Sequence, residues 1–392
     1  MGLRAKPPIA EHIKLDRFVS GGQAIGTLES GQKAFIWGGL PGELIEFHAT
    51  KKKRNYLEGV ATNIIEPSSE RIQPHDSCYL STSPWQVLNY DYELEQKTEL
   101  VREAFRQEKI DITIATIATD DVKYLYRNKM EYSLWWDSKT EQISLAFHER
   151  GSHRKIPISS SSIEHPEVLA EAKKVIGQLN NRHEQARKYQ SLVVRCNQAG
   201  QVSSALFENG RPHPKMTALT DELLGRRFTY SPNGFFQINL PVYELALREI
   251  AKHITTNKVV DMYAGVGTIG LTVAGDKQLT LVETNKDAFA ELAKNCHLGA
   301  EAVLSASEDA LEYITADATI IVDPPRAGLD KRVVERLLKT TPPTIIYLSC
   351  NPTTQARDIK PLLEKYQAAL AKPYNFFPCT PHIENLVVLK RK

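Results

Sequence analysis

Cysteine is scarce in this sequence and never occurs in close pairs. The five, at positions 78, 196, 296, 350 and 379, are spread through 392 residues. That spacing argues against a disulfide framework, and it offers no CxxC unit for zinc or an iron–sulfur cluster. Long apolar runs are missing too, since none approaches the ~20 residues that span a bilayer. The opening MGLRAKPPIAEH has no apolar leader, and Lys6 stands where a myristoylation signal wants Ser or Thr. The expected compartment is the cytoplasm. A large excess of one charge is absent as well. The net charge is +2, so any attraction for nucleic acid has to be local.

What is there begins with a basic N-terminal stretch. Residues 1–60 hold nine Lys or Arg against six Asp or Glu, and four of the nine form the run Lys51–Arg54. Such a short run is by itself equally a solvated loop. Residues 12–66 alternate as five short strands (HIKLDRFV, QAIGTLE, KAFIWG, ELIEFHAT, EGVATNIIE) punctuated by glycine and proline turns. Five strands in that length suit a small closed barrel of the OB type. The basic run and Tyr56 are expected together in the last turn, where charge beside an aromatic favours RNA backbone contact and base stacking.

The next stretch reads as mixed α+β. Tyr90–Gln107 is predicted helical, with Leu94, Leu100, Val101 and Phe105 as its apolar positions. Two basic-aromatic segments follow, YLYRNKMEY from Tyr124 and FHERGSHRK from Phe147; either also fits an amphipathic strand with a solvated face. Pro166–Gln190 reads as one long polar helix, and Ser159–Ser162 as a loop. From Lys258 onward, KVVDMY, QLTLVE, ATIIVD and TIIYLS alternate with helical segments, the pattern of a parallel, doubly wound α/β sheet. AALAKPYNFF and ENLVVLKR close the chain as a strand pair. The expected domains are 1–68, 69–226 and 227–392.

The chemistry collects at the strand ends of the last domain. Gly265, Gly267 and Gly270 satisfy GxGxxG between a strand and a helix, and Glu283 ends the next strand, where an acid can bind a ribose diol. A tight turn also needs glycines, so this motif alone decides only for a nucleotide-like cofactor. Asp323-Pro324-Pro325-Arg326 forms a stiff loop that holds Asp323 at the cleft edge. Arg326 replaces the aromatic that follows this motif in adenine-directed amino-methyltransferases, which speaks against a stacked target adenine. In Ser349-Cys350-Asn351-Pro352 a thiol meets a helix N-terminus, whose dipole should favour the thiolate. Glu384 opens the closing strand, two residues after His382.

Taken together these segments resemble the RNA 5-methyluridine methyltransferases over nearly the whole chain. The barrel is similar to that family's TRAM domain, the two basic-aromatic segments to its central domain, and Asn233–Asn239 (NGFFQIN) to its cofactor segment. The glycine turn, DPPRAG, SCNP and the terminal His-x-Glu follow in the family's order. The resemblance implies a Rossmann-like class I methyltransferase domain that uses S-adenosylmethionine, with Gln237, Tyr263, Glu283 and Asp323 contacting the cofactor beside the turn at Gly265 and Gly267. It further implies Cys350 as nucleophile and Glu384 as base. Several members carry an iron–sulfur cluster on four central-domain cysteines; here Pro74–Gln86 contains only Cys78 and Ser159–Ser162 occupies the region of the fourth ligand, so neither cluster nor metal is expected.

The expected activity is therefore methylation of uridine carbon 5 in RNA, with the target base flipped or single-stranded. The barrel inclines the target towards 23S ribosomal RNA over transfer RNA, and a monomer is expected. Three rival readings explain less of the sequence. A nicotinamide-dependent oxidoreductase uses the glycine turn but leaves Cys350 and DPPR unexplained. An RNA-binding protein with a dead methyltransferase fold has no reason to keep both Cys350 and Glu384. Cytidine carbon-5 enzymes also use a cysteine, usually placed elsewhere.

Overall fold

Alternating apolar residues in the first 66 positions close into a barrel. The computed structural model describes residues 11–152, 154–296 and 299–392. Its first strands are β1 (Glu11–Phe18), β2 (Ala24–Thr27), β3 (Lys33–Trp37), β4 (Leu44–Lys52) and β5 (Tyr56–Glu66), ordered β1-β2-β3-β5-β4. β4 returns antiparallel to β1, and β3 runs parallel to β5. Ile13, Leu15, Ile36, Ile45 and Phe47 fill the interior. The last hairpin is longer than the sequence suggested. Lys51 and Lys52 belong to β4 and Tyr56 to β5, so the run is not one loose turn. Lys51 pairs with Glu58 at 2.7 Å, and Tyr56 packs edge-on against Phe35 instead of standing free.

A short helix α1 (Tyr79–Thr82) and α2 (Tyr90–Gln107) come next. Helix α2 has the expected bounds but a different buried face. Val101 and Phe105 are buried with Glu93 and Lys97, while Leu94 and Leu100 are only half-buried. The two charges form an ion pair at 2.8 Å, which is how they can be buried at all. The helix packs against elements of the C-terminal sheet.

The middle of the chain builds β6 (Lys129–Asp137), β7 (Gln142–His148), β8 (Lys155–Pro157), α3 (Pro166–Asn181), β9 (Ser191–Cys196), β10 (Val202–Glu208) and β11 (Arg211–His213). The strands form one sheet, β11-β10-β9-β6-β7-β8, covered by α3. Helix α3 ends well before Gln190. The Asn180 amide clasps both the N–H and the carbonyl of Ile143 (2.7 and 3.0 Å), and His183 adopts a left-handed φ of 52° that stops the helix. A hairpin, β12 (Leu219–Leu223) and β13 (Arg226–Tyr230), leads into α4 (Leu240–Lys252).

The C-terminal sheet contains β14 (Lys258–Asp261), β15 (Gln278–Glu283), β16 (Ala300–Leu304), β17 (Ala318–Val322), β18 (Thr344–Ser349), β19 (Tyr366–Tyr374) and β20 (Glu384–Arg391). Between them run α5 (Thr268–Val273), α6 (Lys286–Asn295), α7 (Lys331–Thr340) and α8 (Pro352–Leu362). The order is β16-β15-β14-β17-β18-β20-β19, parallel except for β20, which is antiparallel to both neighbours. Every residue of β17 and β18 is buried, as helices on both faces require. β16 was not anticipated, because AEAVL sits on the sheet edge without a fully buried residue. Strand order reverses between β14 and β17, so the ligand crevice falls at their carboxyl ends. No helix among the described residues is long and apolar enough to cross a membrane.

Candidate active site

The carboxyl ends of β14, β15 and β17 open into a cavity of about 760 Å³ lined by Gln237, Tyr263, Gly265, Glu283 and Asp323, among others. Glu283 accepts the Gly265 N–H at 2.8 Å and the Asn285 N–H at 2.6 Å, which fixes the acid at the strand tip with lone pairs to spare. Gly265 has φ 56° and open space where a Cβ would sit, so its backbone is bare towards the cavity. Gly267 does not line it. With φ 94° and a would-be Cβ only 2.6 Å from Leu271, it serves the turn and the packing of α5. Beneath the turn lies Asp261, to which the sequence reading assigned no role. Its carboxylate accepts the Gly270 N–H at 2.9 Å, and burial raises it to about 7.

The wall formed by Asn233–Gln237 is built from the middle sheet. Arg195, fully buried on β9, donates to Phe236 O at 2.8 Å and Gln237 O at 3.0 Å, with its guanidinium 4.7 Å from the Tyr230 ring centre. Lys129 Nζ reaches Asn233 O at 3.0 Å. Phe236 stacks on Tyr230 at 3.9 Å, whereas Phe235 is 76% exposed beside the cavity. An arginine within a strand gives no sequence signal for this task; it reads as a solvated face.

The thiol and the second acid come together by register. Ser349 on β18 pairs with Asn385 on β20, so the next residues, Cys350 and Glu384, fall opposite each other at the same edge. A chamber of about 220 Å³ lies at Cys350, bordered by Arg326, Asn351, His382 and Leu100. The DPPR loop is pinned to the cysteine loop. The Asn351 amide donates to Arg326 O at 2.9 Å, Thr354 Oγ1 to the same oxygen at 3.2 Å, and Arg326 Nη2 meets His382 Nδ1 at 3.1 Å. Asp358 closes the loop by accepting from Leu329 N at 2.7 Å and Tyr347 Oη at 2.9 Å.

The buried ion pair of α2 holds the loop that leads to Glu384. Lys97 donates to Asn375 Oδ1 at 2.6 Å and Phe377 O at 3.0 Å, and Glu93 accepts the Cys379 N–H at 2.9 Å.

Electrostatics at Cys350 differ from the sequence expectation. Burial, then Glu384 and Asp323, push its thiol up to about 11, with Arg326 pulling the other way. The helix dipole does not prevail, and Asn351 Oδ1 already caps the Thr353 N–H at 3.2 Å. Burial, then Asp261, raises Asp323 to about 7; burial and the charge of Asp323 hold Glu384 well above the usual carboxylate range. Two acids and a thiol thus crowd around one arginine, an arrangement that a cationic ligand would relieve. At the corner where the resemblance places cluster cysteines, Cys78 is buried, and Asp76 accepts hydrogen bonds from Ser162 (2.9 and 3.0 Å) and Gln86 (2.8 Å).

Residues 309–392 match the tRNA (uracil-5-)-methyltransferase family. A protein of Staphylococcus aureus described as an uncharacterized RNA methyltransferase is 30% identical, over 97% of this chain and 95% of its own. One from Bacillus cereus with the same description is 28% identical over 97% and 96%. The crystal structure of Pyrococcus abyssi tRNA (uracil-54, C5)-methyltransferase in complex with S-adenosyl-L-homocysteine superposes with a TM-score of 0.74, covering 96% of this chain and all of that one at 22% identity. The shared fold is that of a methyltransferase with an N-terminal barrel. The chain belongs to the RNA methyltransferase family of these relatives and is an enzyme of that class, with the uracil-5 match in its C-terminal residues 309–392.

Proposed function

We propose that the protein methylates carbon 5 of a uridine in RNA through a covalent bond between Cys350 and carbon 6. The observation that carries this reading is the β18–β20 register, which sets Cys350 against Glu384 at the cleft edge, next to a cavity walled by Glu283, Gly265 and Gln237. Bound there, S-adenosylmethionine supplies the methyl group as a sulfonium electrophile and leaves as S-adenosylhomocysteine. In this reading Glu283 takes the ribose diol, supported by its position on the cavity lining with Gln237, Tyr263 and Asp323, while Gly265 and Gly267 shape the turn. The cavity fits a cation: burial, then the charge of Asp261, raises Asp323 on its lining to about 7, a strain that a positive ligand relieves, and the exposed Gly265 backbone admits a close ligand.

Carbon 5 of uracil is a weak nucleophile. Attack of the Cys350 thiolate on carbon 6 turns the ring into an enolate with electron density at carbon 5, which then takes the methyl. Glu384 removes the remaining proton from carbon 5, and elimination breaks the Cys350–carbon 6 bond. Arg326 is the cation at hand to favour the thiolate.

Incubation with 5-fluorouridine RNA and S-adenosylmethionine should trap a protein–RNA complex that survives denaturing gels, because fluorine cannot leave as a proton does. An equal yield from Cys350→Ala would sink the assignment. For the substrate, 23S ribosomal RNA is the first candidate and transfer RNA the second, and the barrel alone does not separate them. Since a structural neighbour that acts on tRNA overlaps 96% of this chain, the target is tested directly. A 5-methyluridine missing from 23S RNA of a strain lacking the gene supports the reading; one missing from tRNA moves the assignment there.

A further inference from the structure

The barrel reaches the chemistry itself. The turn between β1 and β2 borders the Cys350 chamber, which Ser20 and Gly21 line together with Arg326 and His382. Three contacts fix that turn. Gly22 packs so closely on Pro381 that an added Cβ would lie 2.2 Å from the proline Cβ. The indole of Trp85 donates to Gly22 O at 3.0 Å, and its backbone N–H donates to Cys379 O at 2.9 Å. Phe18, at the end of β1, packs on the Trp85 ring at 4.7 Å. One buried tryptophan therefore ties the barrel turn to the loop that carries His382 and leads to Glu384. Within this clamp Ser20 and Gly21 stay exposed, and Gly21 has nothing within 4 Å of a would-be Cβ.

We propose that Ser20–Gly22 is the outer wall of the pocket for the target nucleotide, so that the barrel helps to position the nucleotide that reaches Cys350. The inference rests on Cys350 acting on uridine RNA as proposed above. A nucleotide drawn out of its stack enters between a hydroxyl and bare backbone on the barrel side and the Arg326 cation on the sheet side. Those groups suit a ribose and a phosphate, contacts that position a nucleotide without reading its base. The barrel thereby gains a role beyond affinity. Because Gly22 and Trp85 lock the turn in place, the gap is set by the fold before RNA arrives.

Ser20→Trp tests the wall, since its side chain would project into the gap while the clamp residues are untouched. The parent enzyme is first shown to form the Cys350 adduct with 5-fluorouridine RNA; its failure there counts against the proposed function, not the wall. In Ser20→Trp, kcat/KM for RNA should fall about tenfold or more, with S-adenosylhomocysteine affinity and melting temperature as in the parent. Ser20→Ala, which leaves the gap open but removes the hydroxyl, should lose only about threefold, the worth of one neutral hydrogen bond. A folded Ser20→Trp enzyme with parental kcat/KM overturns the proposal. Should that variant fail to fold, the parent is irradiated with RNA carrying 4-thiouridine next to the target. Crosslinks in the peptide holding residues 20–23 support the wall. Their absence, while the Cys350 adduct forms, refutes it.

Discussion

Arg195 tests whether the middle sheet builds the cofactor cavity. Its guanidinium is fully buried and donates to Phe236 O at 2.8 Å and Gln237 O at 3.0 Å, two carbonyls of the cavity wall. A hydrogen bond from a charged donor contributes about 1.5–3 kcal/mol, so the pair amounts to about 3 kcal/mol or more. Arg195→Met keeps much of the stem volume and removes both bonds. Part of the loss is offset because a buried cation no longer has to be desolvated. A net of about 2 kcal/mol then falls on the order of the Gly234–Gln237 wall and has to be restored on binding, which corresponds to roughly 30-fold weaker affinity. Calorimetric titration with S-adenosylhomocysteine should show that drop, with Tm lowered by only a few degrees. Arg195→Lys should fall between, because a point charge cannot serve two carbonyls as a fork does. A folded Arg195→Met protein with parental affinity would refute the reasoning.

Three further expectations follow from the site. Because burial, Glu384 and Asp323 hold the Cys350 thiol near 11, it stays neutral until well above neutral pH. Its alkylation in the ligand-free protein, read by mass spectrometry, should climb about tenfold per pH unit from pH 7 to pH 10, and Glu384→Gln should shift that profile to lower pH; a plateau by about pH 8.5 contradicts this. Glu384→Gln should also transfer labelled methyl to ordinary uridine RNA yet stay bonded to it, with free product reduced roughly a hundredfold; parental turnover would assign the base elsewhere. Changing Lys51, Lys52, Lys53 and Arg54 to Ala should weaken RNA binding and flatten its log–log salt slope by up to about 3 while kcat persists, and an unchanged slope would make the run only a solvated surface.

What the sequence made legible and what it hid divide along a physical line. The thiol, the two acids and the glycine turn stand at the ends of short apolar strands. A parallel sheet delivers such ends to one edge whatever else the chain does, so SCNP, DPPR and Glu283 could be placed from local pattern alone. The barrel strands were equally legible, because one buried face imposes a period of two. The supports of the site were not. Glu93 and Lys97 sit on a helix whose apolar positions pointed to a different face, and their burial makes sense only once Asn375, Phe377 and Cys379 arrive from about 280 residues away to receive them. Ser20 and Gly21 read as a surface turn until Trp85 and Pro381 fix them beside the Cys350 chamber. The same limit explains why the thiol was misjudged. A helix dipole acts over its first turn and can be read from Asn351-Pro352, but it is worth about 1 kcal/mol or less at an exposed end. Desolvation and two like charges come from β17, β20 and the loops packed around them, and together they outweigh it. The acidity of Cys350 belongs to the chamber, which no single segment of the chain encodes.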